Sequence, residues 1–200
     1  MTETEGVIKY ANFHEHSDPG LAIPAELQHW RERLMQAGLV GQDPARYDGY
    51  GFGNLSVRVG TGLLVTGSQT GHVREALAQH FALVTRWDTA NNALWSQGLV
   101  APSSESMSHA AVYDACPEVA AVFHAHSPDI WQAVDRLGIA ATGAEIPYGT
   151  PEMAVAVARL VQSASGILVM KGHEDGVLSW GTTGAEAGEI LMQALREATG

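Results

Sequence analysis

The sequence predicts an α/β fold, a mixed and largely antiparallel sheet with helices on both sides. Two patterns point to it: strands joined by hairpins in the first half, then strands alternating with helices in the second. Composition agrees, since 46% hydrophobic and only 16% charged residues in a chain of 200 suit a domain with a substantial core.

Residues 1 to about 22 are polar and punctuated by Pro and Gly, so they are expected to form a flexible N-terminal arm, with one domain over residues 23–200. From Pro24, PAELQHWRERLMQAG sets Leu27, Trp30, Leu34 and Met35 near one helical face, with Pro24 in the first turn and Gly38 at the C-cap. NLSVRV and LLVTG read as a hairpin over residues 54–67, and FALVTRWD and NALWS as a second around DTANN. SSESMSHAAVYDAC reads as a helix, VAAVFHAH as a buried strand and SPDIWQAVDRLG as a helix capped by Ser127. TPEMAVAVARLVQ is a helix started by Thr150 and Pro151, GILVM a buried strand and VLSW a short one. Thr182 or Thr183 caps the last helix.

The charge balance narrows the partners. Eleven Lys and Arg against 22 Asp and Glu give a net charge of -11, which repels nucleic acid and anionic lipid, so neither is expected as a partner. Nothing approaches the roughly 20 apolar residues of a membrane span, and MTETEGVIKY lacks the basic and apolar regions of a signal peptide; a cytoplasmic location is expected. Cys116 is the sole cysteine, which excludes an intramolecular disulfide and reads as a buried, inert thiol.

Five segments carry chemistry. In His124-Ala125-His126 the period of two turns both imidazoles to one side of the sheet, the start of a site for a borderline-soft metal. Lys171-Gly172-His173 follows the buried strand GILVM, and its glycine lets the chain deliver a third imidazole; three His ligands leave coordination positions open, as in a catalytic site. Ser103-Ser104-Glu105 opens a helix, where capping and anion binding use the same free N–H groups, and a carboxylate beside a metal could move protons. Gly53-Asn54 and the turn Thr66-Gly67-Ser68-Gln69-Thr70-Gly71-His72 offer amides and hydroxyls to an anion. His14 and His16 read as solvated. His29, His80 and His109 read as surface or packing residues on helices, while His72 stands beside the glycine turn.

In chain order, GNLS at 53–56, the turn near 66–71, SSE at 103–105, HAH at 124–126 and GH at 172–173 resemble the class II aldolase/adducin family of sugar-phosphate aldolases, epimerases and dehydratases, a resemblance that runs from about residue 24 to 197. The resemblance implies a three-layer α/β/α sandwich and a homotetramer with sites at subunit contacts. It implies a divalent cation, Zn2+ or alternatively Mn2+, Fe2+ or Co2+, on His124, His126 and His173, with Glu105 as catalytic acid/base. It assigns the substrate phosphate to Gly53, Asn54, Ser103 and Ser104, with Ser68, Thr70 and Gly71 as candidates from the turn. The tyrosine that a neighbouring subunit supplies in the family has Tyr148 as its candidate here. The implied activity is reversible aldol cleavage of a small phosphorylated ketose or hydroxy-carbonyl acid through a metal-stabilised enediolate. Decarboxylase, dehydratase or epimerase chemistry is the alternative within enzymes, and a non-catalytic interaction module of the adducin-head type the alternative outside them.

Overall fold

A computed structural model describes residues 6–200. The elements run β1 (Ala11–His16), α1 (Ala25–Gln36), β2 (Gly41–Gln42), β3 (Gly51–Phe52), β4 (Asn54–Val59), β5 (Gly62–Thr66), β6 (Phe81–Asp88), β7 (Ala93–Gly98) and α2 (Ser106–Ala115). Then follow β8 (Ala121–His126), α3 (Pro128–Gln132), α4 (Val134–Leu137), β9 (Ala140–Ala141), α5 (Pro151–Leu160), β10 (Gly166–Val169), β11 (Gly176–Gly181) and α6 (Gly184–Thr199). One nine-stranded sheet has the order β1-β7-β6-β5-β4-β8-β11-β10-β9, and β2 pairs with β3 apart from it. Its interior pairs are antiparallel and only the two edge pairs, β1 with β7 and β9 with β10, are parallel. The sheet is thus mixed and largely antiparallel, as expected.

Alternation along the central strands sorts the core into two layers. Ala121, Phe123 and Ala125 of β8 and Leu55 and Val57 of β4 pack with Leu27, Trp30 and Leu34 of α1, Ile130, Val134, and Ala187, Leu191 and Ala194 of α6. On the other face Val122, Leu178 and Trp180 pack with Met107, Ala110 and Val112 of α2 and Met153, Ala154 and Val157 of α5. Helices therefore cover both faces of the sheet in an α/β/α sandwich. The caps work as their residue types predict: Ser127 accepts from Ile130 N, Thr150 from Met153 N and Thr183 from Glu186 N.

Three expectations need correction. Residues 11–16, expected within the flexible arm, form β1 on the sheet edge, and Tyr10 before them is 5% exposed; residues 1–5 of that arm lie outside the described residues. The helix predicted after Ser127 is two short ones, broken at Ala133. Cys116 is half-buried, because it caps the end of α2 with its thiol 3.2 Å from Glu118 Oε2, and burial followed by that hydrogen bond raises its pKa. His109, read as a surface or packing residue, takes the packing role: it is fully buried on α2, its Nδ1 2.7 Å from Ser56 Oγ.

Packing can be tested at two positions, Gly188 and His109. A Cβ on Gly188 would run into the Trp30 ring where α6 meets α1, and that ring is held in the core. Gly188→Ala is expected to destabilise the fold by about 1–3 kcal/mol, read as a lower urea midpoint. Burial lowers the pKa of His109 to about 3, against about 6.5 in an unfolded chain. Above pH 6.5 both states are neutral there. As pH falls below 6.5 the unfolded state takes up a proton that the folded state refuses, so this group removes up to about 1.4 kcal/mol of stability per pH unit until pH approaches its folded pKa. Urea melts of wild type between pH 7.5 and 5 are expected to show this decline, and a folded His109→Asn variant to show a shallower one.

Candidate metal centre and anion pocket

The histidine cluster is a product of strand register. β8 lies between β4 and β11, with His124 opposite Asn54 on one side and Leu178 on the other, and His126 opposite Gly176. Both imidazoles point to the face that α2 and α5 cover, since Val122 of the same alternation packs there. The third arrives on the turn between β10 and β11, closed by Met170 N on Gly176 O (2.8 Å), His173 N on Met170 O (2.9 Å) and Gly176 N on His173 O (3.0 Å). Gly172 is needed in that turn because any Cβ there would collide with the Ile146 carbonyl.

Each imidazole offers one ring nitrogen to a group whose members all lie within 4.8 Å of one another, and all three residues are buried. The Nε2 atoms of His124 and His126 are 3.1 Å apart. Tetrahedral Zn2+ with Zn–N near 2.0–2.1 Å sets its ligand nitrogens about 3.3 Å apart, close to the His124–His126 separation. His124 Nδ1 is 3.1 Å from the Val177 carbonyl, which can only accept, so the proton sits on Nδ1 and the Nε2 lone pair faces the cluster. Burial, followed by the neighbouring His173, lowers the pKa of His124 and His126 well below the usual value. Neutral imidazole is the ligand form, and a set of three His donors suits Zn2+, Mn2+, Fe2+ or Co2+. The donor set therefore fits the expected cation.

Aromatic rings wall the cluster. Tyr148, 2% exposed, stacks on His173 with centroids 4.4 Å apart, and the Lys9 ammonium sits 3.5 Å from the Tyr148 ring centre. Tyr47 meets His126 edge-on at 4.7 Å and donates its hydroxyl to Asp175 Oδ2 at 2.8 Å. Beyond His173 a wider hollow opens between Tyr47, Trp131, Tyr148, Lys171 and Asp175. Glu105 is fully buried at the N-cap position of α2 and stands outside the group of three imidazoles; its Oε2 accepts from Ser108 Oγ at 2.7 Å.

The seven residues expected to bind an anion line one pocket: Gly53, Asn54, Ser68, Thr70, Gly71, Ser103 and Ser104. Two of its walls are tied together, for Gly67 bridges Pro102, Ser68 N donates to Ala101 O (2.8 Å) and Thr70 Oγ1 donates to Gly67 O (2.8 Å). Gly53 has φ 71, and a Cβ there would press on the Val40 side chain and the His124 carbonyl. Asn54 is 5% exposed, and its Oδ1 is buried with no hydrogen-bond partner. Since Asn54 pairs with His124, pocket and cluster meet at one strand pair.

Sequence reasoning missed two residues here. Arg31 lines the pocket from α1, and its signal was positional: it lies four after Leu27 and three before Leu34, on the buried stripe. Tyr10 donates to the carbonyls of Pro102 and Ser103, each at 3.0 Å, and holds the turn before Glu105; no periodicity marks it. Burial, opposed by a hydrogen bond with Ser106 and reinforced by the charge of Glu105, raises the Tyr10 pKa. His72 is exposed and outside the pocket lining.

Comparison with solved structures places the architecture. An L-fuculose-1-phosphate aldolase from Thermus thermophilus matches with a TM-score of 0.64 at 20% identity over 88% of this chain and 90% of that one. A sugar-phosphate aldolase from Thermotoga maritima matches at 0.65 and 17% identity, covering 87% and 90%. YgbL of Klebsiella pneumoniae, an aldolase/epimerase/decarboxylase candidate, matches at 0.64 and 21% identity, covering 87% and 85%. At these identities the likeness concerns the fold. No curated protein has a significantly matching sequence. The sequence pattern of the class II aldolase and adducin N-terminal domain matches residues 44–198, more than three quarters of the chain, and the chain belongs to that family.

Proposed function

We propose that the protein is a metal-dependent lyase that cleaves a small phosphorylated ketose or hydroxy-carbonyl acid by a reversible aldol reaction. One observation carries this proposal: a cluster of three buried imidazoles and a pocket of amides and hydroxyls adjoin at the Asn54–His124 strand pair, the arrangement that one small molecule held at both ends would need. Family membership and the sugar-phosphate aldolases among the structural neighbours support it.

His124, His126 and His173 would hold the cation, Zn2+ in our assignment, and leave coordination positions open to substrate. When bound, the cation would supply Lewis-acid stabilisation of negative charge that develops on substrate oxygens. Gly53, Asn54, Ser68, Thr70, Gly71, Ser103 and Ser104 fix the remote phosphate or carboxylate through N–H and O–H donors, which sets the reacting end toward the imidazoles. We assign Glu105 as the acid/base that removes and returns the proton at the carbon beside the carbonyl, with Ser108 orienting one carboxylate oxygen. Tyr148 is packed face-on against His173 and fixes that ring, a positioning task. We further propose the homotetramer of the resemblance, with light scattering as its test. Among the described residues no helix is long and apolar enough to cross a membrane.

The purified protein is expected to hold about one divalent cation per chain. His124→Ala and His173→Ala are expected to lose it by elemental analysis, and wild-type metal content in either variant would displace the site. On whichever substrate a screen of phosphorylated ketoses identifies, Glu105→Gln is expected to keep fold and metal while kcat falls by at least about a hundredfold. Unchanged turnover would remove Glu105 from the chemistry.

A further inference from the structure

Arg31 is a buried cation in the lining of the anion pocket. It is 4% exposed, and among the residues that line the pocket it is the only one with a charged side chain. Its guanidinium donates to the Thr70 carbonyl through one terminal nitrogen (2.8 Å) and to the Arg74 carbonyl through the other (3.2 Å). Among the described residues no carboxylate forms an ion pair with it. Glu32 and Glu75 share a surface hollow with it on its other side, without an ion-pair contact. Carbonyl dipoles satisfy part of its hydrogen bonding but do not neutralise its charge, and a desolvated charge without a counter-ion is costly. In a chain with a net charge of -11, a positive group left in this position favours an anion in the pocket next to it.

The same contacts shape the pocket wall. In a trans peptide the C=O of one residue and the N–H of the next point in opposite directions. With the Thr70 carbonyl held toward the guanidinium, the Gly71 N–H is turned away from it, and Gly71 lines the pocket. Arg31 thus both charges the pocket and sets the turn that supplies its amides. It lies outside residues 44–198, where the family pattern matches.

Resting on the anion pocket proposed above, we infer that Arg31 sets the charge preference of that pocket and makes it a site for a phosphate-type dianion in preference to an uncharged polyol end. The charge matters separately from the hydrogen bonds, and two variants divide them. Arg31→Gln removes the charge. Arg31→Lys keeps it but loses the planar fork that spans two carbonyls.

The test is calorimetric titration of the metal-loaded protein with inorganic phosphate, with metal content and thermal midpoint measured for each variant. Arg31→Gln is expected to bind phosphate at least about tenfold more weakly than wild type at unchanged metal content. Arg31→Lys is expected to bind more tightly than Arg31→Gln, even where its thermal midpoint is no higher. Affinity that follows charge while stability does not is an outcome that a purely structural arginine would not produce. Phosphate affinity in Arg31→Gln within about twofold of wild type, or equally weak binding by both variants, overturns the inference. If Arg31→Gln does not fold, a folded Arg31→Lys that still binds phosphate supports it and one that does not overturns it. A wild type that ignores phosphate overturns the anion pocket and this inference together, whereas loss confined to the Arg31 variants bears on Arg31 alone.

Discussion

The antiparallel register of β4, β8 and β11 is the constraint on which the rest of the site depends. It sets Asn54 beside His124 and His126 beside Gly176, and it decides which face the imidazoles occupy. A slip of one residue in β8 would carry His124 and His126 to the layer now packed by Phe123 and Ala125, and would put apolar groups where ligands are needed. Register in the centre of a sheet is well defended. Phe123 against Trp30 on one face and Val122 with Leu178 on the other make any slip expensive in buried surface.

Around that rigid centre the chemistry is delivered by loops, and strain collects there. Tyr47, Asp48, Gln69 and Asp175 all have positive φ without being glycine, and three of them lie against the site: Tyr47 on His126, Asp175 in the His173 turn, Gln69 in the pocket wall. The hydrogen bond from Tyr47 to Asp175 joins two of these strained residues across 128 positions of sequence. The loop before β3 and the turn before β11 are thereby held in one arrangement over the imidazoles. Tyr10 does the same for the turn at Pro102 and Ser103.

Much of this was legible in the sequence because it rests on local rules. The period of two in VFHAH, the hairpin spacings, and Ser127, Thr150 and Thr183 as N-caps each state a local geometry that tertiary packing had no reason to override. All seven residues expected around an anion line one pocket for a related reason: glycine and hydroxyl turns at strand ends have few places to go. β1 was not legible. ANFHEH is polar and half exposed because it is an edge strand, with Phe13 at 55% exposure covered only by a stack on Trp95, so it lacks the apolar pattern of an inner strand. Arg31 was hidden by its residue type, since a charged side chain on a helix reads as its solvent face. Only the i, i+4 spacing from Leu27 gave Arg31 away. Glu105 precedes its helix, so its fully buried carboxyl could be read as an ordinary helix-start residue.

In the proposed reaction, the cation that the imidazole cluster would hold and the buried Glu105 act together on a carbon next to a carbonyl. Proton exchange isolates that step, because it needs no aldehyde partner and no carbon–carbon bond to break. Metal-loaded protein incubated with dihydroxyacetone phosphate in D2O can be followed by NMR, with metal-free protein and Glu105→Gln alongside. The account predicts stereospecific loss of one carbon-bound hydrogen that requires both the metal and Glu105. Metal-loaded protein that binds this phosphate yet exchanges no hydrogen faster than the metal-free form would contradict it.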